Sequence, residues 1–215
     1  MDKYIISKEN LENLSEWTST LYTLLHSLKI GKDNNFEPRD KLNESGLDSM
    51  TWENRKNNFN SIAHRVVKTS KKEMKFRRDP SLNFKKTVSR VAGMLIQDLV
   101  IIFDEILNEL MIEKGLPVQN FPQSKIEALK KYVDQEFEWS IKGSMELIAI
   151  RNTITHSRGF WNEKSLRILR DYGIITKEVS NKLLDKKVIV TFPMVFEYKK
   201  SMRTFMNQVK SGIEK

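Results

Sequence analysis

The chemistry of this chain concentrates in Glu146-Leu147-Ile148-Ala149-Ile150-Arg151-Asn152-Thr153-Ile154-Thr155-His156-Ser157-Arg158-Gly159. An apolar run leads into Arg151 and Asn152, a histidine follows five residues after the arginine, and a glycine stands three further on. Arg151 lies four residues after Leu147 and three before Ile154, which places it on the apolar stripe of a helix. A guanidinium keeps its charge, so on such a face it needs anionic or carbonyl partners. Imidazole ordinarily changes charge near neutral pH and is the natural proton carrier among side chains. A proton carrier near a planar cationic fork suits work on a phosphodiester. In RNA the 2′-hydroxyl is an internal nucleophile, so no serine, cysteine or metal has to be supplied. A base takes its proton, an acid protonates the leaving 5′-oxygen, and a cation steadies the crowded phosphorane. On this reading His156 moves protons, worth on the order of 10²- to 10⁴-fold. Arg151 grips phosphate oxygens, and Asn152 orients either partner through its amide.

The same stretch resembles the signature of the HEPN superfamily, α-helical domains whose hallmark is R-x4-6-H, most often R-N-x-x-x-H at the end of an inner helix. Here that pattern is Arg151-Asn152-Thr153-Ile154-Thr155-His156. The resemblance implies an all-α, HEPN-like helical bundle. Many such domains are metal-independent endoribonucleases that work as two-fold dimers, with the Arg and His of both subunits lining a shared cleft. It therefore implies RNA as substrate, a homodimer, and neither cofactor nor metal. It points toward a bacterial toxin or phage-defence effector, with an antitoxin or other regulatory protein as a further partner. Other members keep the fold as non-catalytic modules that bind RNA or a partner protein, which is the alternative reading. The branch that pairs with a nucleotidyltransferase antitoxin carries R-x4-H-x-Y. This chain has Arg158 where that Tyr would stand, which puts that partnership in doubt and leaves the Arg/His pair untouched.

Five residues of ideal helix rotate by about 140°, so Arg151 and His156 do not share a face while the helix is regular. They converge if the β-branched stretch Thr153-Ile154-Thr155 unwinds, or if each meets its counterpart across a two-fold axis. The plainer alternative pairs Arg151 with a core carboxylate and makes His156 a cation at the helix C-terminus, where positive charge is favoured. For binding RNA, the densest basic run is Arg65, Lys68, Lys71, Lys72, Lys75, Arg77 and Arg78, joined near the motif by Arg158. Such a run is usually only a solvated face; beside a ribonuclease motif it becomes a phosphate track. Trp161 reads as a core plug in preference to a base-stacking platform. His26 and His64 read as core-edge residues. No histidine or carboxylate set has metal-ligand spacing, and no glycine-rich phosphate loop is present.

The elements that must position this motif read as helices. The chain has 215 residues with 8 glycines, 5 prolines and no cysteine, which excludes disulfides and thiolate chemistry. Its net charge of +9 favours a polyanionic partner. The longest apolar run, Leu99 to Phe103, is closely bracketed by Gln97, Asp98, Asp104 and Glu105, so no membrane span is expected. The N-terminus shows no signal peptide, and the expected location is cytoplasmic. A single domain over 1–215 is expected, with N-terminal helices and a loop over 1–80 and a core over 81–215.

A first helix is predicted over about 10–30, with Leu11, Leu14, Trp17, Leu21, Leu24, Leu25 and Leu28 inward and Gly31 as its stop. A loop over 32–48 and a helix over about 49–76 follow, broken at Asp79-Pro80. A helix over about 81–114, apolar all round between Leu99 and Phe103, is expected to be central. Ser124 is the expected N-cap of a helix that continues through Phe137, Ile141, Met145 and Ile148 into the motif. A short helix over about 162–171, a short strand over 188–191 and a last helix over about 194–212 complete the chain.

Overall fold

In the computed structural model residues 6–33 and 80–212 are described, and among them are seven α-helices and no strand. Leu147, Ile148, Ala149 and Ile150 are all buried. A helix surrounds itself with protein only when apolar residues face every side. These four lie on α4, Glu138–His156, making it the inner helix of the bundle. The others are α1 (Lys8–Asp33), α2 (Pro80–Glu113), α3 (Pro122–Leu129), α5 (Glu163–Asp171), α6 (Lys177–Leu183) and α7 (Phe192–Ser211). The chain divides into two compact units, Met1–Thr23 with Thr87–Lys215, and Leu24–Lys86; the candidate site belongs to the first.

Helix α4 packs against α3, α5 and α7. It lies close to α7 at Gly143, where a Cβ would come within 2.6 Å of Ser201 Cβ. Helix α2 joins through Gly93, which faces Ile154, and through Phe103, whose ring meets Phe205 of α7 edge-on at 6.1 Å. Helix α1 joins through Trp17, whose indole N–H donates to the Leu95 carbonyl at 3.2 Å. Full burial of a large apolar side chain is worth about 1.5–3 kcal/mol, so Leu21, Ile96, Leu99, Phe103, Ile106 and Phe205, all fully buried, supply much of the adhesion.

Several expectations need correction. Helix α1 runs through Gly31 to Asp33, because glycine weakens a helix without ending it. Of its predicted inward face Trp17 and Leu21 are buried, whereas Leu11 is 43% exposed. Helix α2 is not apolar all round in effect, since Ile101 is exposed within the predicted central run. Ser124 does not cap α3; the helix starts earlier, at Pro122, whose fixed φ and missing N–H suit the first turn. No continuous helix joins α3 to the motif. Extended Val133 and Asp134 separate two 3₁₀ turns, Lys130–Tyr132 after α3 and Gln135–Phe137, the second of which leads directly into α4. The strand expected over 188–191 reduces to an isolated antiparallel bridge between Phe160 and Lys187. The helix expected over 49–76, His64 and the basic run from Arg65 to Arg78 lie outside the described residues, as does most of the loop expected over 32–48. His26 is exposed on α1 and not at a core edge.

Candidate functional site at the end of helix α4

The motif stretch stays α-helical through His156, contrary to the expected loosening over Thr153-Ile154-Thr155. Burial and hydrogen bonding outweigh the weak propensity there. Thr153 is fully buried, and its hydroxyl donates to the Ala149 carbonyl at 2.9 Å. Ile154 rests on Gly93. The Thr153 carbonyl then accepts from both Ser157 N–H at 3.2 Å and Gly159 N–H at 3.0 Å, closing the helix end. Arg158 and Gly159 both take left-handed φ, 53° and 81°, to make that turn. The arginine is in a conformation that favours glycine.

On this regular helix Arg151 Nη1 nonetheless lies 3.4 Å from His156 Nε2, because the long arginine side chain reaches around the last turn. The same Nη1 donates to Asn152 Oδ1 at 3.2 Å. A guanidinium only donates, so this contact is a hydrogen bond in the tautomer that leaves Nε2 unprotonated and carries its proton on Nδ1. Arg151 and Asn152 are half-buried and His156 is exposed. Among the described residues no carboxylate forms an ion pair with Arg151. The plainer alternative of a core carboxylate partner is therefore not what the described residues provide.

Sequence reasoning passed over the residues that fix the turn after His156. Asn162 caps α5 by accepting from Ser165 N–H at 2.9 Å, and its amide donates to the Ser157 hydroxyl. The signal was an Asn immediately before a helical segment. Trp161 N–H donates to the Lys186 carbonyl at 2.9 Å, Asp185 N–H donates to the Trp161 carbonyl at 3.0 Å, and Val188 N–H donates to the Gly159 carbonyl at 2.8 Å. Residues 157–162 are thus clamped between α5 and the segment after α6. Trp161 is half-buried in this clamp, short of the full plug expected.

One further titratable pair was missed. Tyr198 of α7 is hydrogen-bonded to Glu146, five residues before Arg151. Burial is the main cause that raises the Glu146 carboxyl, and burial followed by the charge of Glu146 raises the Tyr198 phenol. Arg158 is exposed, whereas Lys68, Lys71, Lys72, Lys75, Arg77 and Arg78 lie outside the described residues, so no geometry joins them to the motif. Among the described residues no three His, Asp or Glu side chains gather as a metal site, and no helix is long and apolar enough to cross a membrane. Comparison of the chain with protein-family models, curated proteins and solved structures finds no match.

Proposed function

We propose that this chain is a HEPN-like, metal-independent endoribonuclease that cleaves RNA by attack of the 2′-hydroxyl, with Arg151, Asn152 and His156 as its site. One observation carries the reading. A half-buried guanidinium turns to a histidine ring nitrogen and to its neighbouring amide, and no described carboxylate neutralises it. A cation so placed accepts a phosphodiester readily, because the anion supplies the charge it lacks. Binding a phosphate would draw Nη1 away from His156 Nε2 and free that lone pair for the 2′-hydroxyl proton. The 2′-oxygen then bonds to phosphorus as the bond to the 5′-oxygen breaks. The products are a 2′,3′-cyclic phosphate and a 5′-hydroxyl, which takes its proton from a second acid.

A homodimer supplies that acid most simply, as the histidine of the other subunit. Arg158, exposed and two residues past His156, extends the cationic surface at this helix end, and the lysines and arginines from Lys68 to Arg78 are proposed as further contacts to RNA phosphates. A toxin or phage-defence effector held in check by an antitoxin or other regulatory protein in the cytoplasm is the setting we propose. The exposure of His156 favours one second reading, a non-catalytic module that binds RNA or a partner protein through this surface.

The test is incubation of purified protein with end-labelled RNA in excess EDTA, alongside His156→Ala. Cleavage that survives chelation, leaves 2′,3′-cyclic phosphate ends and disappears in the variant supports the nuclease. RNA that is bound and stays intact supports the second reading. Wild-type turnover in His156→Ala removes the proposed site.

A further inference from the structure

Away from the motif, a groove of about 360 Å³ runs between the first half of α1 and helix α7. Its walls differ in chemistry. Ile6, Leu11 and Leu14 from the α1 side and Met206 from α7 give an aliphatic floor, with Ile6 and Met206 buried at its base and Leu11 exposed at 43%. Lys199, Arg203 and Lys210 form the edge. At 100° per residue these three and Met206 fall on one stripe of α7. None of the three cations has a carboxylate ion pair among the described residues. Burial, and then the nearby charge of Arg203, pushes the Lys199 ammonium below its usual range. An anion laid between them would relieve that repulsion.

We propose that the α1–α7 groove docks an acidic amphipathic helix from a partner protein, a surface separate from the Arg151/His156 site. The floor decides between peptide and nucleic acid. Every apolar residue lining the groove is aliphatic or Met, so no aromatic ring is offered for base stacking, which single-stranded nucleic acid ordinarily uses. An aliphatic floor with a cationic edge instead matches a helix that carries apolar anchors every three or four residues and carboxylates beside them. From Lys199 to Lys210 the edge spans about 16 Å, or roughly three turns of a docked helix.

The probe is a fluorescein-labelled, lactam-stapled helix of about fourteen residues, with leucines on one stripe and glutamates flanking it. A peptide of the same composition in shuffled order and a labelled oligouridylate serve as comparisons. Fluorescence anisotropy should show saturable binding of the ordered peptide only. The Lys199→Glu/Arg203→Glu protein should bind it at least about tenfold more weakly, and should bind a lysine-flanked version of the peptide in its place. Because both side chains lie at the groove edge, helicity by circular dichroism should be unchanged. Should the pair fail to fold, Lys210→Glu, on an exposed residue, must weaken binding in the same direction. The proposal is overturned if ordered and shuffled peptides bind alike or charge reversal leaves affinity unaltered. It is also overturned if oligouridylate, and not the peptide, is the ligand that reversal releases.

Discussion

Tyr198 and Glu146 are hydrogen-bonded across the contact between α7 and α4, and the carboxyl of Glu146 is held above its ordinary value of 4.5 chiefly by burial. The native state therefore keeps the Glu146 proton at pH values where the unfolded chain has released it. Stability from this group is fully present below the ordinary carboxyl pKa, falls as pH rises through the raised native value, and is flat above it. Glu146→Gln should remove that decline and make the protein more stable at pH 7 than the parent. Urea titrations between pH 4 and pH 8 check this, and a parent whose stability rises through this window solely because of Glu146 would contradict it.

Removing the phenol oxygen has the opposite sense. In Tyr198→Phe the half-buried Glu146 loses the hydrogen bond that lowers its pKa, so its charged form is less well held. The expected cost at pH 7 is about 1–3 kcal/mol, shrinking toward low pH as the carboxyl protonates. Equal destabilisation at both ends of the pH range would mean that the ring's packing, and not the bond, was lost.

Gly143 should resist substitution more than any exposed helical glycine. Alanine improves helix propensity by about 1 kcal/mol, but its methyl would come within 2.6 Å of Ser201 Cβ. Neither atom can swing aside, so the two backbones must separate, at about 1–3 kcal/mol net. Gly143→Ala combined with Ser201→Gly should recover part of that loss. Thermal unfolding of the single and double variants decides whether the two positions are coupled.

Lys125 is 2% exposed and meets Asp104 at 2.5 Å. Asp104→Ala leaves a buried ammonium without that partner and should cost about 2–4 kcal/mol, trimmed from the value for a fully buried pair because the Asp104 side chain is 32% exposed. Lys125→Met should cost less, since the remaining carboxylate can turn to water. If the two single variants are equally unstable, the asymmetry of burial is not what governs this pair.

Under the proposed function, His156→Ala should lower RNA cleavage by about 10²-fold or more with helicity preserved, because His156 is exposed and the core does not rest on it. On the same proposal Arg151→Ala should reduce both cleavage and RNA affinity, since the guanidinium would hold phosphate in ground and transition states alike. Gel-based cleavage and filter binding on the same preparations separate the two. A His156→Ala protein that loses affinity as much as Arg151→Ala would argue against proton transfer as its role.

Periodicity made most helices legible, and its limits are physical. Leu95, Leu99, Ile106 and Leu110 follow the helical repeat and are all buried. The rank of the helices was harder to read. The run from Leu99 to Phe103 looks as enclosed as Leu147 to Ile150, yet Ile101 is 54% exposed while the second run is buried throughout. Residues 188–190 do alternate as a strand should, with Val188 and Val190 buried and Ile189 69% exposed. A strand also needs a neighbour, and the pairing beside this run is one bridge, Phe160 with Lys187. Helix α6 escaped notice because Ser180 is its one buried residue, so it carries no apolar stripe. Its local marks are Thr176, whose hydroxyl accepts from Val179 N–H at 3.3 Å, and the charges of Glu178 and Lys182 in its first and last turns. At the site, residue types and spacing singled out Arg151 and His156, but their contact depends on side-chain torsions that helical geometry alone does not specify.

The order in which a ribosome releases this chain gives the inner position of α4 a temporal meaning. The motif is synthesised well before Lys186 and Val188, which clamp its outgoing turn, and before α7, which covers much of α4. A nascent chain ending just after Gly159 would hold every proposed catalytic side chain on a helix whose four-residue apolar run has lost its α5 and α7 partners. Such a helix keeps only its contacts with the earlier elements, α3 and Gly93 of α2 among them. The full set of contacts around α4, and with it the complete surroundings of the proposed site, thus forms only when that last described helix has packed.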